Sequence, residues 1–296
     1  MTHSCPVCSR EAPLRFRVPD LNRRLSDHPF AYHGCPSCGL VFIDRPPDDL
    51  DRYYKEDYYQ VPRSIEELAA RARNEHYRID IIQQFARSGR LLEIGASYGI
   101  LCYLAKQRGF DVEAIERDEG CCRFLRDTLK IRAHQSSRPE ETLRTLGAFD
   151  VIALWHVIEH LTDPWAFLQT AAAALKPGGI LVLATPNPES FQFRILRERW
   201  PHVDAPRHLW LMPTSCLQSY VRPLKLDLLW STTEDAGGVH WNEFGWTQYF
   251  VNMTGGRLPR RPLRAMGMLT TALTRFIERR PRQGCAYTAA FRKRSS

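Results

Sequence analysis

The sequence predicts an α/β protein built on a mostly parallel sheet, with a small cysteine-bearing ribbon at its N-terminus. Three observations carry this. Residues Arg90 to Asp118 read as strand, glycine turn, helix and strand. A second unit of the same kind runs from Phe149 to Ala184. Paired C-x-x-C knuckles stand near the N-terminus. A strand, crossover helix and strand of this length make a βαβ unit, and such units imply parallel pairing.

The composition suits that class. The chain has 296 residues, 44% hydrophobic and 25% charged, enough for one large α/β domain and a small appendage. No apolar run reaches the roughly 20 residues needed to span a bilayer, and no signal-peptide core stands at the N-terminus. A cytoplasmic location is expected. The formal charge is +8, yet residues 257–296 hold eleven Lys/Arg and one acid, a net +10, leaving −2 elsewhere. The basicity is therefore local, and nucleic acid is not expected as a partner.

Residues 1–45 contain Cys5-Pro-Val-Cys8 and Cys35-Pro-Ser-Cys38, followed by Gly39. Two such knuckles, 26 residues apart, can wrap one tetrahedral ion in four thiolates, so Cys5, Cys8, Cys35 and Cys38 are expected to hold a structural zinc ion. Disulfides are the competing reading, disfavoured by the expected compartment. Four thiolates leave no open coordination position, so the ribbon serves folding, docking or substrate capture rather than catalysis. Cys102, Cys121, Cys122, Cys216 and Cys285 show no ligand spacing.

Residues 46–88 form a helical connector or lid. Pro46-Pro47 separate it from the ribbon, and Asp51 to Gln60 carries tyrosines paired at Tyr53-Tyr54 and Tyr58-Tyr59, which pack the connector down or cover a ligand. Ser64 and Glu67 form a capping box, and Leu68, Ala72, Ile79, Ile82 and Phe85 give an apolar helical stripe.

Residues 89–296 form the main domain. Leu91 to Ile94 is the first strand, Gly95-Ala96-Ser97-Tyr98-Gly99 the turn, and Ile100, Leu101, Leu104 and Ala105 the helix that Gly109 closes. Val112 to Ile115 is the second strand. Glu93 and Glu116 stand where these strands run out. Ligands bind beyond the carboxyl ends of such strands, and an acid there accepts ribose hydroxyls, so a nucleoside-containing cofactor is expected. A dinucleotide fingerprint is absent, because Ser97 and Ile100 replace its later glycines, and no phosphate-binding Gly-Lys-Ser/Thr follows.

Further along, Cys121 to Leu129 reads as a helix and Ile131 to Gln135 as a third strand ending at Ser136-Ser137. Phe149 to Leu154 is a fourth strand, followed at once by Trp155-His156-Val157-Ile158-Glu159-His160. Asp163-Pro164 opens a helix to Leu175, Lys176 to Gly179 is a turn, and Ile180 to Ala184 is the fifth strand. A long segment, 186–212, leaves that strand. Thr214 to Val221 is a helix and Leu226 to Thr232 a sixth strand. An aromatic stretch from Val239 to Phe250 and an amphipathic helix from Leu263 to Ile277 form a helical insertion at about 240–283, and Cys285 to Phe291 is a last strand. The arginine-rich amphipathic helix packs on its own protein, or touches an anionic membrane through residues 257–282.

The run E-x-G-x-S-x-G at Glu93 to Gly99 resembles the first motif of class I S-adenosylmethionine-dependent methyltransferases, with Ser97 in place of a glycine. FDVIALWHVIEHLTDPWAFLQTAAAALKPGGILVLATPNP resembles their fourth and fifth motifs, and the likeness covers residues 89 to about 233. The knuckles, the Tyr-rich connector and D-x-P-R-H at Asp204 to His208 resemble a narrower group, zinc-ribbon enzymes acting on sugars and other small molecules in polysaccharide and natural-product pathways. The resemblance implies a Rossmann-like sheet of seven strands with an antiparallel last strand. It implies S-adenosylmethionine as cofactor, held by Glu93, Gly95, Ala96, Ser97, Gly99 and Glu116 with Trp155 and His156 as a wall, and a small-molecule acceptor such as a sugar or nucleotide-sugar.

Methyl transfer to a hydroxyl needs a positioned base, commonly histidine. His160 is the first candidate and His208 the second, with His156 and His240 behind them; Glu159 caps or orients His160. Two alternatives stand beside this reading. H-x-x-E-H at His156 to His160 is similar to the metal-binding E-x-x-E-H run of small-RNA 2′-O-methyltransferases, which implies metal assistance. The other is a non-catalytic ribbon protein with a degenerate cofactor fold.

Overall fold

The computed structural model describes residues 3–54 and 60–295; Tyr58 and Tyr59 of the connector lie outside them. At the N-terminus β1 (His3–Ser4) pairs with β2 (Glu11–Ala12), and β3 (Leu14–Val18), β4 (Phe30–Gly34) and β5 (Val41–Ile43) form an antiparallel meander. The connector holds α1 (Ile65–Ala72) and α2 (His76–Gln83). Ser64 Oγ caps α1 by accepting the Glu67 amide, while the Glu67 carboxylate accepts the Arg63 amide. The single apolar stripe expected there is split over two helices, although Leu68, Ala72, Ile79 and Ile82 all reach the core.

The main domain follows as β6 (Gly89–Ile94), α3 (Ile100–Gln107), β7 (Phe110–Glu116), α4 (Glu119–Arg123), β8 (Arg132–Gln135), α5 (Pro139–Leu143), β9 (Phe149–Trp155), α6 (Pro164–Ala174) and β10 (Leu175–Pro186). Then come α7 (Phe191–Leu196), β11 (Trp210–Leu211), α8 (Thr214–Val221), β12 (Leu226–Thr232), α9 (Ala236–Met253), α10 (Arg260–Glu278) and β13 (Ala286–Lys293). Seven strands make one sheet in the order β12-β13-β10-β9-β6-β7-β8. The neighbours from β10 to β8 pair in parallel, and β13 runs antiparallel to both β10 and β12. This is the α/β, Rossmann-like sheet expected, with the last strand antiparallel.

Both faces of the sheet are covered, which explains why its strands read as unbroken apolar runs rather than as alternations. Leu92, Ile94, Ile152, Leu154, Leu181 and Leu183 point to a layer formed by α5, α6 and α8. Leu91, Val112, Val151, Ala153 and Val182 point to the layer of α1, α2 and α3. Local readings shift at two places. Lys176 to Gly179 does not end a helix in a free turn; it is carried within β10, whose register against β9 shifts between Leu175 and Ile180. The helix expected through Leu129 is α4 followed by a π-turn at Phe124–Thr128.

The ribbon is welded to this domain. Strand β11, from the long segment after β10, pairs antiparallel with β5 and completes a four-stranded sheet. Val18, Phe30, Tyr32, Val41 and Ile43 share one core with Phe193, Trp200, Val203, Leu209 and Leu211. Cys5, Cys35 and Leu40 pack on Met212, Cys216 and Leu217. The ribbon therefore sets the course of residues 200–211, and that segment reaches the functional site.

Candidate active site

A cavity of about 900 Å³ opens at the carboxyl ends of β6, β7 and β9. Such a volume suits a nucleoside-bearing ligand with room beside it. Its floor is the turn after β6. Gly95, Ser97 and Gly99 all take positive φ, at 66°, 52° and 85°. A Cβ at Gly95 would meet Val157 Cγ2 at 2.5 Å, and one at Gly99 would meet Leu125 Cδ2 at 2.5 Å. Both glycines are thus required by sterics as well as by φ. Ser97 holds the same left-handed region with its amide donated to Glu116 Oε2 at 2.7 Å, which offsets the cost of a side chain there.

Glu116 ends β7 and is buried. Its other oxygen accepts the amides of Arg117 (2.8 Å) and Asp118 (2.9 Å). Burial raises its pKa against those amide bonds, and Oε2, which accepts one amide, keeps a lone pair for a ribose hydroxyl. Glu93 is also buried and lines the cavity, yet its Oε2 accepts both the amide and the thiol of Cys102 at 3.0 Å. Burial lifts its pKa to about 7, with Cys102 and Arg78 opposing. Trp155, the last residue of β9, and His156 after it line the wall, as do Ala96 and Tyr98 from the turn.

His160 lies on the same wall, in a short 3₁₀ turn at Ile158–His160. Its Nδ1 is 3.0 Å from the carbonyl of Arg207 and 2.9 Å from the Tyr54 hydroxyl. A carbonyl only accepts, so the proton belongs on Nδ1 and Nε2 keeps a lone pair. Burial and the neighbouring His208 push its pKa down to about 4. His208 is not among the cavity-lining residues. It packs edge-on against His160, with ring centroids 4.6 Å apart, and its Nδ1 meets the carbonyl of His202 at 2.8 Å. Among the remaining histidines His240 is exposed and stands off the cavity.

Glu159 contacts His156 rather than His160. Its Oε1 lies 3.3 Å from His156 Nδ1, and its Oε2 accepts Thr185 Oγ1 at 3.0 Å. Burial opposes its charge, but His156, His160 and His208 outweigh that and hold the carboxyl down at about 2. Asp204 is held at about 2 in the same way, burial being overcome by Arg207 and His208, and it also accepts Asn22 Nδ2 at 2.7 Å. The D-x-P-R-H run brings both the Arg207 carbonyl and the His208 ring to His160.

Two side chains, Arg78 and Trp241, escaped the sequence reading. Arg78 on α2 lines the cavity beside Glu93, and Trp241 on α9 closes another side. Asp51 and Arg117 pair at 2.7 Å, and the Arg117 guanidinium lies 4.7 Å over the Tyr54 ring, so the segment from Pro46 to Tyr54 covers the cavity. Tyr53 packs inward against Phe30 while Tyr54 faces His160, dividing between neighbours the two roles considered for the tyrosines. Arg78 had no motif to reveal it; helix phase alone puts it there. Outside the cavity lining, the ligand atoms of Cys5, Cys8, Cys35 and Cys38 all lie within 4.8 Å of one another.

Comparison with known proteins agrees with this geometry. Residues 55–226 match the family described as a methyltransferase domain. A ubiquinone biosynthesis O-methyltransferase of Caulobacter sp. (strain K31) is 33% identical over 103 residues, 33% of this chain and 41% of that protein. The enzyme of the same name from Bordetella avium is 33% identical over 129 residues, 40% of this chain and 54% of that one. The chain thus spans about half or less of the length of these relatives. The solved structure of a SAM-dependent methyltransferase from Archaeoglobus fulgidus shares the fold, with TM-score 0.51 at 17% identity over 75% of this chain and 94% of that one. With its sheet order, acid-tipped strands and glycine turn, the chain belongs to the S-adenosylmethionine-dependent methyltransferases of the class I fold.

Proposed function

We propose that the chain is a small-molecule O-methyltransferase with His160 as its general base. The observation that carries this is the placement of His160: it lines the cofactor cavity with Nδ1 bonded to a carbonyl and Nε2 left as a lone pair. Glu116 and the Gly95–Gly99 turn would hold the ribose, and the Arg78 guanidinium would pair with the methionine carboxylate beside Glu93. S-adenosylmethionine, when bound, supplies a methyl group on a sulfonium, a good leaving group that needs no activation from the protein. What the chain adds is position and proton transfer. Trp155, Trp241 and Tyr98 wall the acceptor, and the strap ending at Tyr54 excludes water. As the new C–O bond forms, the hydroxyl proton passes to His160 Nε2.

A base with a pKa near 4 favours an acidic hydroxyl, of the phenol type, over an aliphatic one. The curated relatives are named for ubiquinone biosynthesis. Sugars and nucleotide-sugars, which the resemblance implied, remain in the proposal because aromatic walls also suit them. The test is a screen with methyl-labelled cofactor against phenols, catechols, sugars and nucleotide-sugars. Label transferred to a hydroxyl and lost in His160→Ala supports the proposal, and transfer only to nitrogen or carbon acceptors refutes it.

A metal-assisted variant has one observation in its favour: ligand-capable atoms of Glu159, His160 and His208 lie within 4.8 Å of one another. Turnover that is unchanged by adding or chelating divalent cations, with the ion of the four cysteines retained, would dismiss it. The sulfur cluster of the ribbon has the donor set of a closed zinc site, and we read it as structural. The family match sets aside the alternative of a non-catalytic ribbon protein.

A further inference from the structure

Helix α10 packs one face on the protein and leaves a second, apolar face in solvent. At about 3.6 residues per turn, Leu263, Gly267 and Glu278 fall on one side and are buried. That side lies on α9, where a Cβ at Gly267 would meet Thr247 Cα at 2.7 Å, so a glycine lets the two helices approach closely. Glu278 Oε1 accepts Trp246 Nε1 at 2.8 Å and Gln192 Nε2 at 2.9 Å, which anchors the far end of the contact. The opposite side carries Met266, Leu269, Leu273 and Phe276, which are 46%, 62%, 65% and 67% exposed. Large apolar side chains in a row, exposed to this degree, mark a surface that meets something other than water.

The charge around that row selects the occupant. Residues 257–282 hold eight arginines and one acid, a net +7, and the acid is the buried Glu278. Arg261, Arg275 and Arg279 flank the apolar row and are exposed. A second copy would bring the same cationic rim against itself, at a cost in repulsion. An anionic bilayer surface satisfies both features: apolar side chains enter the acyl boundary and arginines meet the headgroups. No helix among the described residues is long and apolar enough to cross a membrane, so the contact is peripheral. We propose that the exposed face of α10 docks the enzyme in-plane on a membrane rich in anionic lipid. Because α9 carries Trp241, a docked hairpin holds one wall of the cavity close to the bilayer.

The test is co-sedimentation of the full chain with phosphatidylcholine vesicles, with and without one-third phosphatidylglycerol. Binding is expected only with phosphatidylglycerol and is expected to weaken as salt rises. Replacing Leu269, Leu273 and Phe276 together by Glu should lower the partition coefficient about a hundredfold or more. The changes Arg261→Gln, Arg275→Gln and Arg279→Gln should each cost about fivefold. The melting temperature and cofactor titration report whether either variant has lost its fold; the arginine series, on exposed side chains, remains informative if the glutamate variant has. Equal binding to neutral and anionic vesicles, no binding to either, or a concentration-dependent dimer abolished by the glutamate changes would overturn the proposal.

Discussion

Removing the carboxylate of Glu116 gives the most direct test of the cofactor site, because it needs no knowledge of the acceptor. In the structure this side chain accepts amides from Ser97, Arg117 and Asp118 and stands at the end of β7, where a ribose is expected. One hydroxyl donor to a charged acceptor contributes about 1.5–3 kcal/mol. Glu116→Ala should therefore weaken S-adenosylmethionine binding by about 1.5–3 kcal/mol, or roughly one to two orders of magnitude. Part of the loss arises indirectly, since Ser97 is left at positive φ without the acceptor that fixes its amide. Glu116→Gln separates the two contributions: its single carbonyl oxygen can still receive one hydroxyl, while its NH₂ faces amide donors. Isothermal titration calorimetry on both variants, with melting curves to confirm folding, reads the result. Affinity within threefold of wild type in a well-folded Glu116→Ala would refute the placement of the ribose.

The other predictions are briefer. His160→Ala should lower turnover by about 10²–10⁴ while leaving cofactor affinity nearly intact; steady-state rates with titrated cofactor would show the reverse pattern if His160 only packs. Stability should fall on acidification. His160 and His202, held at about 4 and about 3, stay neutral in the fold while the unfolded chain takes up protons near 6.5. Their contribution is therefore full above that value and is lost as pH falls toward the folded values. Glu159 and Asp204, both near 2, extend the loss below about pH 4.5. Melting temperatures that stay flat from neutral pH to about 4.5 would contradict this. One equivalent of zinc should accompany purified protein. Its removal should depress turnover, because β5 and Tyr32 of the ribbon hold β11 and the His208 carbonyl in place. Metal-free protein with full activity would break that link.

Local sequence was sufficient for whatever depended on local sterics. The glycine turn from Gly95 to Gly99, the acids at Glu93 and Glu116, and the helix opened by Asp163-Pro164 are short-range features, and each stands where the chain order put it. Unbroken apolar runs announced strands buried on both faces, and the order of the motifs announced the sheet. Ser97 could be recognised as the residue that departs from the motif, but its tie to Glu116 could not, because the two are separated by a helix and a strand.

Tertiary structure alone decided how distant segments meet. Nothing in the spacing of the knuckles says that β11 would complete the ribbon's sheet, or that Tyr54 and the Arg207 carbonyl would converge on one imidazole nitrogen. Pairings across 47 and 106 residues depend on packing that no local periodicity encodes. The histidines divide between sequence and fold: chain order at the end of β9 put His160 first, and the fold adds that it lines the cavity while His208 packs behind it. Amphipathicity likewise marks α10 as two-faced, but which face is spent on α9 and which is left to solvent follows from the close approach at Gly267.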